Sequence, residues 1–448
     1  MAQIRKTPGV YVEEVSNLAP SVASVATAVP AFVGHTEKGP QNVPTVVTSY
    51  LEYKEAFGGA PNVEYTSEKG LTNAKFVMDT AMRLYFDNGG GKCYIVSAGG
   101  YDSATASVGN LKTAVGTLAA VDEVTLIACP DAAMLLSATD LQSLHKEMLT
   151  QCGKLMDRVA ILDIANKSGV STDVGNFRTG VGGCTEKSYG AAYYPNLKAA
   201  YAPEFSDTSV AAYITVKSLD LDNECSALTG DNEVAKKRAK ATATYKNALA
   251  ALQDMACEVT PSAAVIGAIV STDARFGVWK APANIGLASV KDVVTALNND
   301  DQETLNEDAD TGISVNCVRK FFGKGILVWG ARTLDGISNE WRYISVRRLF
   351  NYIEESIQKS TMWAVFEPND VNTWMKIKCQ ISNFLTGLWR QGALVGATPD
   401  DAYFVNVGVP ATMTQDDINN GRLIVQVGIA ASRPAEFITL EFSHKMEQ

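Results

Sequence analysis

Two aspartates stand where an α/β enzyme places its catalytic groups. Asp131 follows the apolar run 124–129 (VTLIAC), and Asp163 lies near the end of the apolar run 159–164 (VAILDI). If both runs are parallel strands, each carboxylate sits at a strand's C-terminal end, where open α/β sheets present acids, bases and nucleophiles. The competing reading is a helix cap or a turn, which aspartate supplies wherever a free backbone N–H needs an acceptor; the residues favour this second reading. No third group joins the pair. His35 falls in a turn near an N-terminal arm, His145 on a helical segment where a surface place is expected, and His444 among the last residues. A Ser-His-Asp or Cys-His device needs a histidine held by a carboxylate in a cleft. No H-E-x-x-H, G-x-S-x-G or G-x-G-x-x-G occurs, so the motifs of zinc proteases, α/β hydrolases and dinucleotide-binding enzymes are missing.

The eight cysteines, Cys93, Cys129, Cys152, Cys184, Cys225, Cys257, Cys317 and Cys379, are scattered without a C-x-x-C pair or a nearby histidine. Zinc sites and disulfide frameworks need tighter spacing. Free, mostly buried thiols in a reducing compartment are expected. Gly89, Gly90 and Gly91 come before a strand rather than after one, so they read as a helix stop and not as a phosphate loop. Neither a cofactor nor a metal is expected.

The elements that would position these residues come next. The chain has 448 residues, 46% hydrophobic and 20% charged, with a formal net charge of −10. That is enough for more than one packed domain, and the acidic balance argues against nucleic acid as a partner. The start lacks the basic and apolar regions of a signal peptide, and no apolar run reaches membrane-spanning length. A soluble chain not exported by the usual route is therefore expected. Residues 1–28 read as an arm: Thr7-Pro8-Gly9, a β-prone run 10–15, then small and polar residues 16–28. Helical spacing predicts a helix over 71–88, and CYIVS at 93–97 reads as a buried strand. The runs 124–129 and 159–164, with a helical segment 141–152 between them, suit a right-handed parallel βαβ unit. A long helix with a basic start (Lys236, Lys237, Arg238, Lys240) is predicted over 233–258, inside a variable insertion at about 203–258. Residues 261–269 are small and apolar and should pack tightly. The acidic run 297–310 reads as an exposed loop, and GILVW at 325–329 as a strand. Further on, Val346, Leu349, Phe350, Ile353 and Ile357 form one helical stripe. Trp374, Ile377, Ile381, Phe384, Leu385 and Leu388 form another, between Asp370 and Gly392. Two alternating runs, 422–429 and 437–442, read as strands with one face against a core.

Several long segments, in order along the chain, resemble the contractile-tail sheath proteins. They are TPGVYVEEV (7–15), AFVGHTEKGP (31–40), TPSAAVIGAIVSTDARFGVWKAPAN (260–284), VNCVRKFFGKGILVWGARTL (315–334), EWRYISVRRLFNYIEESI (340–357), FEPND (366–370), FLTGLWRQGALVG (384–396) and NGRLIVQVGIAASRPAEFITLEF (420–442). The resemblance implies a mixed α/β, multidomain sheath fold with a subtilisin-like α/β middle region, without that fold's catalytic set, and strand-donating terminal arms. It divides the chain into an arm (1–28), the first part of the body (29–100), the α/β region (101–330), an inner sheath domain (331–429) and a C-terminal arm (430–448).

The resemblance also implies a mechanism. Strands from the arms add to sheets of neighbouring subunits through main-chain hydrogen bonds. Val10, Tyr11, Val12 and Val15, with Ile438, Leu440 and Phe442, would be donated; Leu423, Val425, Val427 and Ile429 would receive; 16–28 and 430–434 would be hinges. A helix at 343–359 would meet an inner tube through Arg347, Arg348 and Lys359, unless those charges are solvated or pair with Glu354 and Glu355. The expected partners are further copies in stacked, hexameric rings, an inner-tube protein, and baseplate and tail-terminator proteins, with neither nucleic acid nor membrane insertion. The expected setting is the bacterial cytoplasm during assembly, then a phage tail or released particle. Two rivals stand beside this reading: an α/β hydrolase-like enzyme using Asp131 and Asp163, and a static tube or capsid protein with a single lattice.

Overall fold

A computed structural model describes residues 22–101, 106–217, 228, 233–308 and 310–437. The chain forms two compact units. The body comprises residues 26–354 together with the segment from 433. The C-terminal unit comprises Glu355–Ser432 and the residues before 26.

The body is built on a nine-stranded mixed sheet. Six strands run parallel in its middle: Asn316–Phe321, Gly190–Tyr194, Val159–Asp163, Leu126–Ala128, Pro30–His35 and Cys93–Gly99, in that spatial order. Antiparallel strands finish both sides, Gly325–Trp329 and Ile285–Gly286 at one and Thr45–Val47 at the other. The middle strands are apolar on both faces because helices cover both. Phe32, Ile95, Leu126 and Ile161 join a core on one side. Their neighbours Ala31, Val33, Val96, Ile127 and Leu162 join a core on the other. The expected parallel βαβ unit is present, with the intervening helix running Ala138–Leu155. Ser137 caps it by accepting from the Asp140 N–H.

Helix Ser262–Phe276 is almost wholly buried over its first half. A Cβ at Gly267 would come within 2.5 Å of the Tyr85 carbonyl, so only glycine lets this helix approach its neighbour Met78–Asp87.

Three sequence expectations change. The helix predicted from residue 71 starts at Met78. Asn73 takes φ 60°, which an α-helix cannot pass through, and 64–72 fold instead into a hairpin, Glu64–Thr66 with Gly70–Thr72. The acidic run 297–310 contains a helix, Asn299–Asn306. Asn298 and Asp301 cap each other's backbone N–H, and acids in a first turn suit the helix dipole, so polarity here marks a helix start. The long helix predicted over 233–258 is broken into Glu233–Ala241 and Ala243–Ala256, because Thr242 caps the second by accepting from the Tyr245 N–H. Most of 218–232 lies outside the described residues.

In the C-terminal unit, helix Val371–Arg390 starts at Asp370, whose carboxylate accepts from the Thr373 N–H at 2.9 Å. It buries Ile377, Ile381, Leu385 and Leu388. A two-stranded antiparallel sheet follows, Tyr403–Val407 with Val425–Ile429. Helix Ile344–Ser360 contains the division between the units, which falls between Glu354 and Glu355.

Candidate functional site

The two aspartates serve the fold. Asp131 is fully buried. Its carboxylate accepts from the His35 N–H at 2.6 Å and the Val77 N–H at 2.7 Å, with His35 Nδ1 at 3.3 Å. It therefore ties the end of a central strand to the start of helix Met78–Asp87. Asp163 is 3% exposed and accepts from the Ser262 N–H at 2.9 Å, at the start of helix Ser262–Phe276. Among the described residues neither its second oxygen nor the Ser262 hydroxyl makes a hydrogen bond of good geometry, although the Ser262 and Thr260 hydroxyls lie near enough to favour its charged form. Burial pushes its carboxyl up to about 7. Among the described residues no histidine is hydrogen-bonded to it. His145, expected on the surface, is 3% exposed and packs edge-on against Phe177. Burial keeps it neutral, lowering it to about 3. It lies on the same stripe as Leu141, Leu144, Met148 and Cys152, and that periodicity was the available signal. Among the described residues no cluster of three or more His, Cys, Asp or Glu could hold a metal.

The features suited to assembly lie elsewhere. Among the described residues, each strand of the two-stranded sheet has a ladder partner on one side only, so each leaves an outer edge for another strand. Val425, Val427 and Ile429 are half-buried, not buried. Leu423 lies just outside the strand, and the facing strand Tyr403–Val407 was not foreseen, although YFVNV is β-prone. Beside this sheet is a groove of about 660 Å³, lined by Ile357, Phe366, Ile377, Ile381, Leu423 and Val425 among others. Phe366 is fully exposed, at φ 68°. Bulky residues rarely hold that conformation unless the site requires it. In the same unit, Ser360 and Ser356 hydroxyls accept from the Ala23 and Val25 N–H groups at 3.1 and 3.3 Å. Val10, Tyr11, Val12, Val15, Ile438, Leu440 and Phe442, with His444, lie outside the described residues.

The basic residues expected at an inner tube are engaged within the chain. Arg347 is 4% exposed; it donates to Asn351 at 2.7 Å and Glu354 at 3.2 Å and stacks on Trp341. Arg348 is 3% exposed; it holds Asp273 through two donors, at 3.0 and 2.6 Å, and donates to the Thr27 carbonyl at 2.9 Å. Their charges are spent inside the body. Lys359, in the C-terminal unit, pairs with Glu355 at 2.6 Å and stays partly exposed. The sequence missed a further arginine. Arg332 is 1% exposed and grips Glu436, at the root of the C-terminal segment.

The fold is thus a mixed parallel sheet finished by antiparallel strands in one unit and a small two-stranded sheet in the other, with both aspartates serving as backbone acceptors. The comparisons carry this to a family. The model of the phage tail sheath C-terminal domain matches residues 338–445. The chain is similar to the helical sheath of the anti-feeding prophage in its contracted state, at 32% identity, 99% coverage of this chain, 100% of that one and a TM-score of 0.67. It is similar to the PVC sheath complex of an extracellular contractile injection system, also contracted, at 29% identity, 99% of each chain and a TM-score of 0.66. It also matches the tail sheath protein of Vibrio phage KVP40, at 26% identity over 179 residues, 40% of this chain. The matched stretch spans 25% of that phage protein's length. The chain belongs to the sheath-protein family of contractile tails and injection systems, whose members matched here are structural proteins, not enzymes.

Proposed function

We propose that this chain is the sheath subunit of a contractile, phage-tail-like particle. It polymerises as stacked, hexameric rings around an inner tube and contracts to drive that tube through a target membrane. The observation that carries the reading is the two-stranded sheet with an open edge on each side and the apolar groove beside it. Such an edge is completed by a strand from another chain, through main-chain hydrogen bonds. The segments around Val10–Val15 and Ile438–Phe442 are the donors, and Val425, Val427 and Ile429 line the receiving strand. Linked subunits can then shift relative to one another while other packing contacts change.

The further partners are an inner-tube protein, a baseplate and a tail terminator. Of the three basic residues first assigned to the tube, only Lys359 keeps an exposed charge, and the proposal narrows to it. Electron microscopy of the purified chain, with and without an inner-tube partner, tests the reading. Hollow cylinders of two pitches, lost on removing residues 1–20, are the expected result. A chain that stays monomeric at high concentration with the tube present would sink the proposal, and a single pitch would favour a static tube.

A further inference from the structure

We infer that Arg332 and Glu436 form a clasp that fixes where the C-terminal segment leaves the body, making both of them positioning residues for that segment. The inference rests on the reading that the segment is donated to a neighbour.

Residues 433–437 belong to no helix or strand, and among the described residues no backbone hydrogen bond holds them. Among the described residues, the hydrogen bonds that attach them are made by the Glu436 side chain. The Glu436 carboxylate accepts from Arg332 Nε at 3.0 and 3.1 Å and from Nη2 at 2.7 Å. It also accepts from the Tyr343 hydroxyl at 3.2 Å and from Asn306 Nδ2 at 3.3 Å. Forked, charge-assisted pairs of this kind fix orientation as well as distance. The Glu436 side chain keeps 23% of its exposure, against 1% for Arg332, so the segment docks its acid into a pre-built basic socket.

The socket is braced by bonds that do not involve Glu436. Asn316, itself buried, accepts from the Arg332 N–H and donates to its carbonyl, both at 2.8 Å. Nη1 donates to the Asn306 carbonyl at 3.0 Å. A Cβ at Gly330 would come within 2.7 Å of Asn316 Oδ1, so the approach to the socket is shaped around Asn316. A buried guanidinium held this way needs a carboxylate to offset its desolvation. Glu307, at 3.4 Å and 63% exposed, is a weak second. The geometry assigns the role to Glu436. A strand leaving from a fixed point and angle reaches a neighbour with less ordering cost than one on a free tether.

The test uses the full chain with Cys184→Ser, Cys225→Ser and Cys379→Ser, spin labels at Phe437→Cys and Phe322→Cys, both exposed positions of the body, and pulsed EPR distances. The parent should give a narrow distribution. Glu436→Gln keeps the shape but removes the charge and should broaden it; Arg332→Met should do the same. The Glu436→Gln body should lose some thermal stability, because buried Arg332 keeps only Glu307 as a carboxylate partner, so the distances are read well below its melting temperature. An unchanged distribution in Glu436→Gln overturns the clasp. So does a broadening confined to temperatures at which the variant body has begun to unfold. Assembly is the second readout: Glu436→Gln should raise the concentration needed for tubes about tenfold through lost pre-organisation. Normal tubes with a broadened distribution would overturn the positioning role and leave strand donation standing. Tubes from a chain lacking 438–448 would sink donation instead, whatever the clasp does.

Discussion

The body sheet and the small C-terminal sheet solve opposite problems. In the body, both faces of six parallel strands are covered, and short antiparallel strands close the sides. In the C-terminal unit, two strands pair with each other, each without a second ladder partner among the described residues, and of their side chains only Val405 is buried. Natural proteins usually blunt such edges. An open edge beside an apolar groove is the feature on which the proposed strand exchange rests. The contrast sets what holds one chain together against what is proposed to join many.

Three substitutions sharpen or break that contrast. The largest effect on the free chain belongs to Arg348→Met. It strands the buried Asp273 carboxylate, and removing one partner of a buried pair costs about 3–5 kcal/mol. Denaturant unfolding checks this, and a loss under 1 kcal/mol, roughly the value of an exposed pair, would return Arg348 to the list of surface charges. Next is Ile161→Ala, in the body core, expected to cost about 2–4 kcal/mol by opening a cavity. Tubes formed at a temperature where the variant stays folded should look normal. Phe366→Gly should do the reverse. It relieves a positive φ and removes an exposed aromatic ring, so the free chain gains about 1 kcal/mol while tube yield falls. Equal tube yield would separate the groove from assembly.

The gentlest test is pH. Asp163 is raised in the folded state, from 3.8 to about 7, so the folded chain binds its proton more tightly and stability falls as pH climbs through that window. His145 is lowered from 6.5 to about 3, so the stability it permits is full above 6.5 and is lost as pH falls towards 3. The two slopes oppose each other between roughly pH 4 and 6.5, each at most about 1.4 kcal/mol per pH unit. Asp163→Asn should leave a body whose melting temperature rises with pH across that range. His145→Leu should leave one whose melting temperature falls with pH. Parallel curves for parent and variants would show that neither group is held as the structure has it.

Much of this was legible in the sequence, for local reasons. The strand Val159–Asp163 and the helix Val371–Arg390 announce themselves by apolar runs and caps a few residues apart. What was not legible depended on distance along the chain. Arg348 looks like a free charge because Asp273 is 75 residues away and Thr27 321 away. Arg332 drew no notice because Glu436 is 104 residues on. His145 is the exception: its place on a buried stripe was readable, and the expectation that a helical histidine faces water overrode it. Tyr403–Val407 was missed because its alternation is weak, and its ladder partner among the described residues is itself half-buried.

The order of elements along the chain sets a schedule. The ribosome delivers all nine strands of the body's large sheet, ending with Gly325–Trp329, before it makes Tyr403–Val407 and Val425–Ile429. Parallel sheets with long crossovers fold slowly and are prone to mispairing while incomplete. A sticky edge made early would invite unfinished strands from the same or another nascent chain. Made last, it opens only once the body has had the whole of synthesis to close, so translation itself keeps folding ahead of polymerisation.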